Sequence, residues 1–236
     1  MSASSAAQRD SYVTGVKTEV AIARARAEIA ALHGELVRNG LVVWTDGNVS
    51  GRVPGADLFV IKPSAIPYET LAPENVVLCD LDGNVVEGDL APSSDTAAHA
   101  YIYRHLPAVG GVTHTHSTYA VAWAARGEAV PCVLTAMADE FGGAIPVAPF
   151  ARIGTDAIGR AVVDVVRGST SPAVLVQNHG PFTIGPTARA AVKAAVMCED
   201  VCRTVHIARQ LGEPLAIAPD DIASLHDRYQ HQYGQP

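Results

Sequence analysis

The chain has 236 residues, of which 48% are hydrophobic and 17% charged, and its formal net charge is −7 at pH 7. This composition excludes a disordered chain and predicts a single folded domain over residues 1–236. The negative charge, without any basic cluster, argues against a nucleic-acid-binding surface. No apolar run is long enough for a signal peptide or a membrane span, so we expect a cytoplasmic protein. The four cysteines are therefore interpreted as reduced thiols.

Helices and strands alternate along the first part of the chain. Alanine-rich helical spacing and a stop signal at Gly40 predict a helix over 16–40. Segment 41–53 is predicted as a strand, an Asp-Gly-Asn turn and a second strand, and 57–64 as a strand that ends at a proline. A hairpin around a second Asp-Gly-Asn turn is predicted over 75–89.

The alternation continues in the second part of the chain. Capping residues at the start and Pro107 at the end predict a helix over 93–107. The remaining predicted elements are a strand over 110–117, a helix over 118–127, an irregular segment, a helix over 155–168, a hairpin over 172–185, a long helix over 187–212 and a tail over 220–236 that begins helical. Because hairpins are so frequent, we expect an α/β domain with a largely antiparallel sheet.

Two histidines, His114 and His116, are separated by a single threonine. On a strand, residues so spaced point to the same face, and paired imidazoles are a natural beginning of a zinc site. Partly exposed histidines at a strand end are the alternative. Asp95, at a predicted helix start, and His179, at a predicted hairpin tip, complete a set of three histidines and one carboxylate. Such a set is typical of a catalytic rather than a structural metal site.

A rival metal set lies on the long helix, where Cys198, Cys202 and His206 fall at positions i, i+4 and i+8. Ligands eight residues apart are separated by about 12 Å along a helix, so one ion cannot touch both ends. We therefore interpret these residues as facing the core.

A second group of polar residues indicates a phosphate site. Asn48 lies in a predicted turn, Lys62 and Ser64 follow a strand, and Ser93 and Ser94 lie at a helix start. Lysine, hydroxyl groups and free helix N–H groups are what holds a phosphate monoester. Asn48 and Ser93 are alternatively ordinary turn and cap residues, and spacing alone does not show that the five residues meet.

Five segments occur in order: GNVSGRV, IKPSAI, PSSDT, HTHSTYA and NHGPF. Together they resemble the class II aldolase/adducin family of zinc-dependent sugar-phosphate enzymes. The resemblance covers most of the chain and implies a three-layer α/β/α fold around a largely antiparallel sheet. Asp95 in PSSDT is similar to the family's L-ribulose-5-phosphate 4-epimerases, whereas its fuculose-phosphate aldolases carry glutamate there. Ala65 departs from the usual glycine, and its Cβ is expected to displace a phosphate-binding backbone N–H.

The resemblance also implies acid/base residues. The segment TAMADEF is similar to the epimerase segment that carries a catalytic aspartate, here Asp139, with Thr135 four residues before it. The ending QYGQP resembles the epimerase C-terminus, whose catalytic tyrosine would be Tyr233, and His226 lies near the position of a further active-site histidine. The alternatives are a solvated loop acid for Asp139 and an unused, frayed residue for Tyr233.

The family resemblance implies a metal-dependent isomerase that acts on a small sugar phosphate. It implies one Zn²⁺ per subunit, with Mn²⁺ or Co²⁺ possible, and a homotetramer with active sites between subunits. The metal ligands would be Asp95, His114, His116 and His179. The reaction would invert carbon 4 of L-ribulose 5-phosphate, giving D-xylulose 5-phosphate, by retro-aldol cleavage and aldol re-formation. An aldolase that cleaves a ketose phosphate such as L-fuculose 1-phosphate ranks second. A non-catalytic adducin-type scaffold ranks third, because it predicts loss of the histidines.

Overall fold

The computed structural model describes the backbone of residues 3–233 and the side chains of residues 15–233. The helices of this part of the chain are α1 (Ala3–Arg38), α2 (Thr96–His105), α3 (Thr118–Arg126), α4 (Thr135–Phe141), α5 (Ala157–Val166), α6 (Ala188–Leu211) and α7 (Pro219–Gln232). Its strands are β1 (Asn48–Arg52), β2 (Leu58–Ile61), β3 (Val77–Asp80), β4 (Val85–Glu87), β5 (Gly111–His114), β6 (Val147–Ala148), β7 (Ala173–Val176) and β8 (Gly180–Gly185). No helix within these bounds is both long and apolar enough to cross a membrane.

The strands form one sheet in the order β4-β3-β2-β1-β5-β8-β7-β6. Each neighbouring pair is antiparallel except the short β6, which runs parallel to β7. The predicted α/β class and the largely antiparallel sheet are confirmed. Antiparallel neighbours follow directly from the hairpins β3–β4 and β7–β8, whose connections are too short for a crossover.

Alternating side chains divide the core into layers on the two faces of the sheet. On β2, Phe59 and Ile61 pack in a cluster with residues of α2 and α5, such as Ile102 and Val162. Val60, which points the other way, packs in a cluster with residues of α1 and α6. Since successive strand residues face opposite sides, one short apolar strand serves both layers. The three-layer arrangement expected from the family resemblance is confirmed.

The prediction of a strand at the start of segment 41–53 is wrong. Leu41 N–H donates to Leu36 O at 2.9 Å, so the chain folds back against the end of α1. Trp44 is in the left-handed region at φ 57°, and its side chain is 86% exposed. A residue in that conformation interrupts an extended strand. The apolar residues at the start of this segment therefore follow the C-terminal end of α1 and are not part of a strand. The sheet begins only at β1.

The segment expected to be irregular contains α4 and β6. The helix has only seven residues, and its N-cap position is Leu134, which makes no side-chain capping hydrogen bond. A helix of two turns without a capping side chain gives little periodicity or boundary signal in the sequence. Strand β6 has two residues and is defined by its pairing with β7 alone.

A buried histidine joins α1 to the edge of β1. His33 is 1% exposed, its Nδ1 lies 2.7 Å from Ile29 O, and Val49 N–H donates to its Nε2 at 3.0 Å. A carbonyl oxygen only accepts, so Nδ1 carries the proton and the ring is neutral. Burial lowers the pKa of His33 from 6.5 to about 3, and the nearby charge of Lys62 adds to this effect.

We predict that His33 makes the protein less stable as the pH falls from about 6.5 towards 3. In that range the unfolded chain binds a proton at this histidine and the folded chain does not, so acid favours unfolding. A His33→Gln variant, which binds no proton there, should show a pH slope of the unfolding free energy shallower by up to about 1.4 kcal/mol per pH unit.

The measurement is urea unfolding of the metal-free protein at several pH values. The matched control is His206→Gln, the same replacement at an exposed histidine on α6, and it should change the slope less than His33→Gln does. Equal slopes for His33→Gln and the unaltered protein would show that His33 takes up its proton in the folded state.

Candidate metal centre and substrate cavity

Three histidines converge at one end of the sheet. One ring nitrogen from each of His114, His116 and His179 lies within 4.8 Å of those of the other two, and the Nε2 atoms of His114 and His116 are 2.9 Å apart. The three rings meet edge to face, with centroid separations of 4.6 to 5.3 Å. Among the described residues, this is the group of histidine, cysteine or acidic side chains that has the geometry to hold a metal ion.

The strand ends explain why the three rings meet. His114 is the last residue of β5, and residues 115–117 are an irregular segment before α3, so the expected pair on a single strand is instead a strand end and the segment that follows it. His179 lies in the turn between β7 and β8, as predicted. The antiparallel register of β5 with β8 places His114 opposite Phe182 and close to that turn.

Phe182 is a site residue that the sequence reasoning missed. Its ring stacks on His114 with a centroid separation of 4.3 Å and an interplanar angle of 14°. It also meets His179 edge to face at 6.0 Å. The residue belongs to the segment NHGPF, but only the strand register, which the letters do not reveal, places it under the histidine pair.

The hydrogen bonding of His114 leaves one of its ring nitrogens unprotonated, as a metal ligand must be. Its Nδ1 lies 3.0 Å from Pro181 O, and because a carbonyl only accepts, Nδ1 carries the proton. Nε2 of His114 is therefore unprotonated, and it accepts a hydrogen bond from Nε2 of His116 at 2.9 Å, a contact that a bound metal ion would replace. Burial, together with His179 and His116, holds the pKa of His114 well below its usual value, and burial also lowers the pKa of His179. Both rings are neutral at pH 7, as metal ligation requires.

The donor set fits a divalent metal of the zinc type. Three imidazole groups are ligands that suit Zn²⁺, Co²⁺ and related ions. Nδ1 of His179 is buried and has no hydrogen-bond partner in the described chain, which is costly for a polar atom. The hydrogen bond from Nδ1 of His114 to Pro181 O is of the kind that orients histidine ligands in metal sites.

The rival set on α6 is not a metal site. Cys198 and Cys202 are fully buried in an apolar cluster, whereas His206 is exposed and bonds to Gln210 on the same helix. The three side chains are not brought together, as the spacing along the helix predicted. A hydrogen bond with Cys198, together with burial, raises the pKa of Cys202 and keeps it a thiol. The core interpretation is confirmed for the two cysteines and is wrong for His206, which is exposed.

The residues predicted to bind phosphate line one cavity beside the histidines. Its volume is about 250 Å³, and it is also bordered by Asp95, His116, His179 and the apolar Ile153. The five predicted phosphate residues on its wall are Asn48, Lys62, Ser64, Ser93 and Ser94. The sequence could not show this convergence, since the five residues come from three separate segments.

Backbone hydrogen bonds hold two of these segments side by side. Ser93 N–H donates to Lys62 O at 3.1 Å, and Ser64 N–H donates to Ala91 O at 2.9 Å. Ala65 has a φ of 56°, in the left-handed region that glycine adopts freely. The loop thus keeps a backbone conformation that suits glycine. Holding alanine in this conformation costs about 1 kcal/mol of folding free energy.

Lys62 brings a buried positive charge to the cavity wall. The residue is 2% exposed, and its Nζ donates to Thr45 O at 3.2 Å and to Pro63 O at 3.3 Å. Burial lowers its pKa, while Asp46 opposes this effect. An ammonium group has three donors. Two of them meet backbone carbonyls, which leaves one for an anionic ligand.

Asn48 is tied to its neighbours more firmly than its predicted role suggests. Its Nδ2 donates to Ser93 Oγ at 2.9 Å and to Asp95 Oδ2 at 2.8 Å. Phosphate oxygens accept hydrogen bonds, so donation from Asn48 to phosphate requires one of these two bonds to be exchanged. In the present arrangement Asn48 orients the Asp95 carboxylate, which borders the cavity but lies outside the group of three histidines.

The predicted acid/base residues form a separate group. Asp139 lies on α4, where its carboxylate is 3.5 Å from Arg228 and its backbone oxygen accepts from Nδ1 of His226 at 2.9 Å. Tyr233 follows α7, is 68% exposed and stacks on Tyr229 at 4.9 Å. His226 borders another cavity, of about 330 Å³.

Within the described part of the chain, the cavity beside the histidines is not lined by any of the predicted acid/base residues, which are Thr135, Asp139, His226 and Tyr233. Thr135 is the first residue of α4, the helix that carries Asp139. Asp139 is therefore a helical residue close to a cation, which corrects the alternative of a solvated loop acid.

Residues 27–206 match the family described as Class II Aldolase and Adducin N-terminal domain. The chain belongs to this family. It is 40% identical over 214 residues to L-ribulose-5-phosphate 4-epimerase UlaF of Salmonella paratyphi B, covering 85% of this chain and 94% of that protein. UlaF of Salmonella typhi is likewise 40% identical, with the same coverage.

Solved structures share the fold of this family member. An L-fuculose 1-phosphate aldolase matches with a TM-score of 0.83 at 26% identity, over 88% of this chain and 96% of the other. The L-fuculose 1-phosphate aldolase from Glaciozyma antarctica PI12 matches with a TM-score of 0.76 at 20% identity, over 89% and 83% of the two chains. The latter similarity supports the fold alone.

A glycine next to the histidines gives a test of the site geometry. A Cβ at Gly180 would lie 2.6 Å from Thr115 O and 3.4 Å from His114 Cε1, so the backbone between His114 and His116 must move to admit it. We predict that Gly180→Ala destabilises the protein by about 1–3 kcal/mol and weakens its binding of a divalent metal.

Urea unfolding and chelator competition measure the two effects. The control is Gly168→Ala, whose Cβ would meet nothing closer than Val165 O at 3.8 Å, and it should change stability by less than about 0.5 kcal/mol. Unaltered stability and metal affinity in Gly180→Ala would contradict the close approach of the two segments.

Proposed function

We propose that the protein is a zinc-dependent L-ribulose-5-phosphate 4-epimerase that gives D-xylulose 5-phosphate by retro-aldol and aldol chemistry. One observation carries the proposal: three convergent histidines lie beside a cavity walled by a lysine, three serines and an asparagine. The chain in which they lie is 40% identical to proteins named as this epimerase. We also propose that it acts in the cytoplasm.

Carbon 4 of the substrate has no acidic C–H, so its inversion by direct proton removal is unfavourable. Cleavage of the C3–C4 bond gives the enediolate of dihydroxyacetone and the aldehyde glycolaldehyde phosphate. Rotation of the aldehyde and re-formation of the bond on its other face completes the inversion. A divalent metal held by His114, His116 and His179, with Asp95 nearby, would supply Lewis-acid stabilisation of negative charge worth several kcal/mol. We assign one Zn²⁺ per subunit, with Mn²⁺ or Co²⁺ as substitutes.

The cavity wall is suited to hold the phosphate while the aldehyde turns. Lys62 contributes a buried charge, and the hydroxyl groups of Ser64, Ser93 and Ser94 contribute donors that rotate to meet phosphate oxygens. We assign these residues, with Asn48, to phosphate binding. Retention of the phosphorylated fragment is what separates an epimerase from an enzyme that releases it.

Two acid/base groups are required, one on each face of the aldehyde, because the C4 oxygen has opposite orientations in the two epimers. We assign Asp139 and Tyr233 to these roles and Thr135 and His226 to their support. Since these residues do not border the cavity of their own chain, we propose a homotetramer in which a neighbouring subunit brings them to it.

An aldolase that cleaves a ketose phosphate is the second candidate. It uses the same histidines and the same bond cleavage, and the matching fold of an L-fuculose 1-phosphate aldolase at 26% identity favours it. Asp95 and the pair Asp139 and Tyr233 favour the epimerase, as the resemblance in the sequence implied. An adducin-type scaffold is disfavoured, because all three histidines are present and converge.

The deciding experiment incubates the zinc-loaded protein with L-ribulose 5-phosphate and follows the products by NMR. We predict D-xylulose 5-phosphate without free dihydroxyacetone. Release of dihydroxyacetone and glycolaldehyde phosphate would instead assign the protein to the aldolases. If the substrate is unchanged, the proposal fails, and L-fuculose 1-phosphate is the next substrate to test.

Replacement of the assigned acid/base residue separates proton transfer from metal binding. We predict that Asp139→Asn lowers epimerisation at least about 100-fold, the usual share of a general acid or base, with normal metal content. His179→Ala, as the comparison variant, should lose both metal and turnover. Metal analysis and the NMR assay measure the two properties. Full activity in Asp139→Asn would remove Asp139 from the mechanism.

A further inference from the structure

Helix α3 is capped by a side chain from another helix. Glu199 of α6 accepts hydrogen bonds from the backbone N–H groups of Tyr119 and Ala120, each at 2.9 Å. Ser117, at the N-cap position of α3, makes no side-chain capping hydrogen bond. The first N–H groups of a helix lack partners within it, and a carboxylate is favoured there by the helix dipole. Glu199 thus supplies from α6 the cap that α3 lacks.

The capped helix connects two segments that carry candidate metal ligands. Its first residue, Thr118, comes two positions after His116. Near its other end, Ala124 O accepts a hydrogen bond from Asn178 N–H at 3.1 Å, and Asn178 directly precedes His179. A shift of α3 therefore moves the chain around both histidines.

The contacts of Glu199 indicate that this cap is its main role. No ion pair to the carboxylate is found in the part of the chain that the structure describes, and its two oxygen atoms each take one backbone N–H of α3. A second bond from α3 to α6, from Trp123 Nε1 to Cys202 O at 3.1 Å, holds the far half of the helix. In the half that adjoins His116, Glu199 supplies the hydrogen bonds to the helix backbone, and the Tyr119 ring adds contacts to His206 and Arg203 of α6.

We propose that Glu199 is a positioning residue of the metal centre, holding α3 so that His116 and His179 converge on one ion. The inference rests on the proposed metal site and adds to it a residue that touches neither metal nor substrate. Residues that orient metal ligands typically change affinity by about 10–100-fold when removed. Loss of the Glu199 carboxylate should therefore weaken metal binding more than it weakens the fold.

The test compares Glu199→Ala and Glu199→Gln with the unaltered protein and with Asp200→Asn, which removes an exposed acid at the next position. Metal-free protein is titrated with Co²⁺ and followed by visible absorption, and thermal unfolding is recorded without metal. We expect Co²⁺ affinity about 10–100-fold lower in Glu199→Ala. The loss should be smaller in Glu199→Gln, which keeps one acceptor oxygen, and absent in Asp200→Asn.

Wild-type affinity for Co²⁺ in both Glu199 variants would overturn the inference, even with lowered thermal stability, because the cap would then serve the fold alone. If Glu199→Ala does not fold, the result of Glu199→Gln decides. Absence of Co²⁺ binding by the unaltered protein would overturn this inference together with the metal site. Binding of Co²⁺ without conversion of L-ribulose 5-phosphate would overturn the proposed reaction and leave the role of Glu199 intact.

Discussion

The antiparallel pairing of β5 with β8 is the constraint on which the site depends. It places His114 at a strand end opposite Phe182 and brings the β7–β8 turn, with His179, beside it. The ladder hydrogen bonds set this register, and a slip of one residue would turn His114 to the other face of the sheet. The imidazole is then held by Phe182 on its face and by Pro181 O at Nδ1. The direction of its unprotonated Nε2, which faces His116, is therefore set by backbone geometry.

The same two strands determine where α6 lies. A Cβ on Gly111 of β5 would be 2.3 Å from Ala188 Cα, and one on Gly185 of β8 would be 2.7 Å from Ala191 N. Glycine at both positions therefore allows the first turn of α6 to lie directly against the strand pair. Because α6 is one continuous helix of 24 residues, this contact also determines where Glu199 and the carbonyl of Cys202 meet α3. The sheet thus positions His114 and His179 directly, and through α6 and α3 it also holds the segments that carry His116 and His179.

The sequence predicted best the features that depend on short-range chemistry. The hairpin around Asp82-Gly83-Asn84, the hairpin that carries His179 at its tip, the long helices and the histidine set all follow from local residues. The strand expected within 41–53 was wrong because Leu41 bonds to the end of α1 and Trp44 adopts a left-handed conformation, and both effects depend on the helix end. Helix α4 was missed because a seven-residue helix without a capping side chain has almost no periodic signal. The hydrogen-bond partners of polar side chains also could not be predicted from the sequence.

Asn48 shows why such partners cannot be read from the sequence. It was assigned as a phosphate donor from its place in a turn, but its amide hydrogens bond to Ser93 and Asp95, residues about 45 positions away. Phe182 and Glu199 were overlooked for the same reason, because their roles come from a strand register and a helix contact. Spacing identifies which side chains have suitable chemistry, whereas the tertiary fold determines which atoms remain free to use it.

The choice between epimerase and aldolase does not lie in the metal ligands. Both reactions break the same bond and need the same charge stabilisation, so the three histidines and the buried Lys62 serve either. What differs is the fate of the aldehyde, which an epimerase must hold by its phosphate and protonate on either face. Those tasks fall to the serines of the cavity wall and to Asp139 and Tyr233, which lie outside that cavity in their own chain. Whether this fold acts as an epimerase or an aldolase therefore depends on which phosphate-binding and acid/base residues are brought to the metal centre that both reactions share.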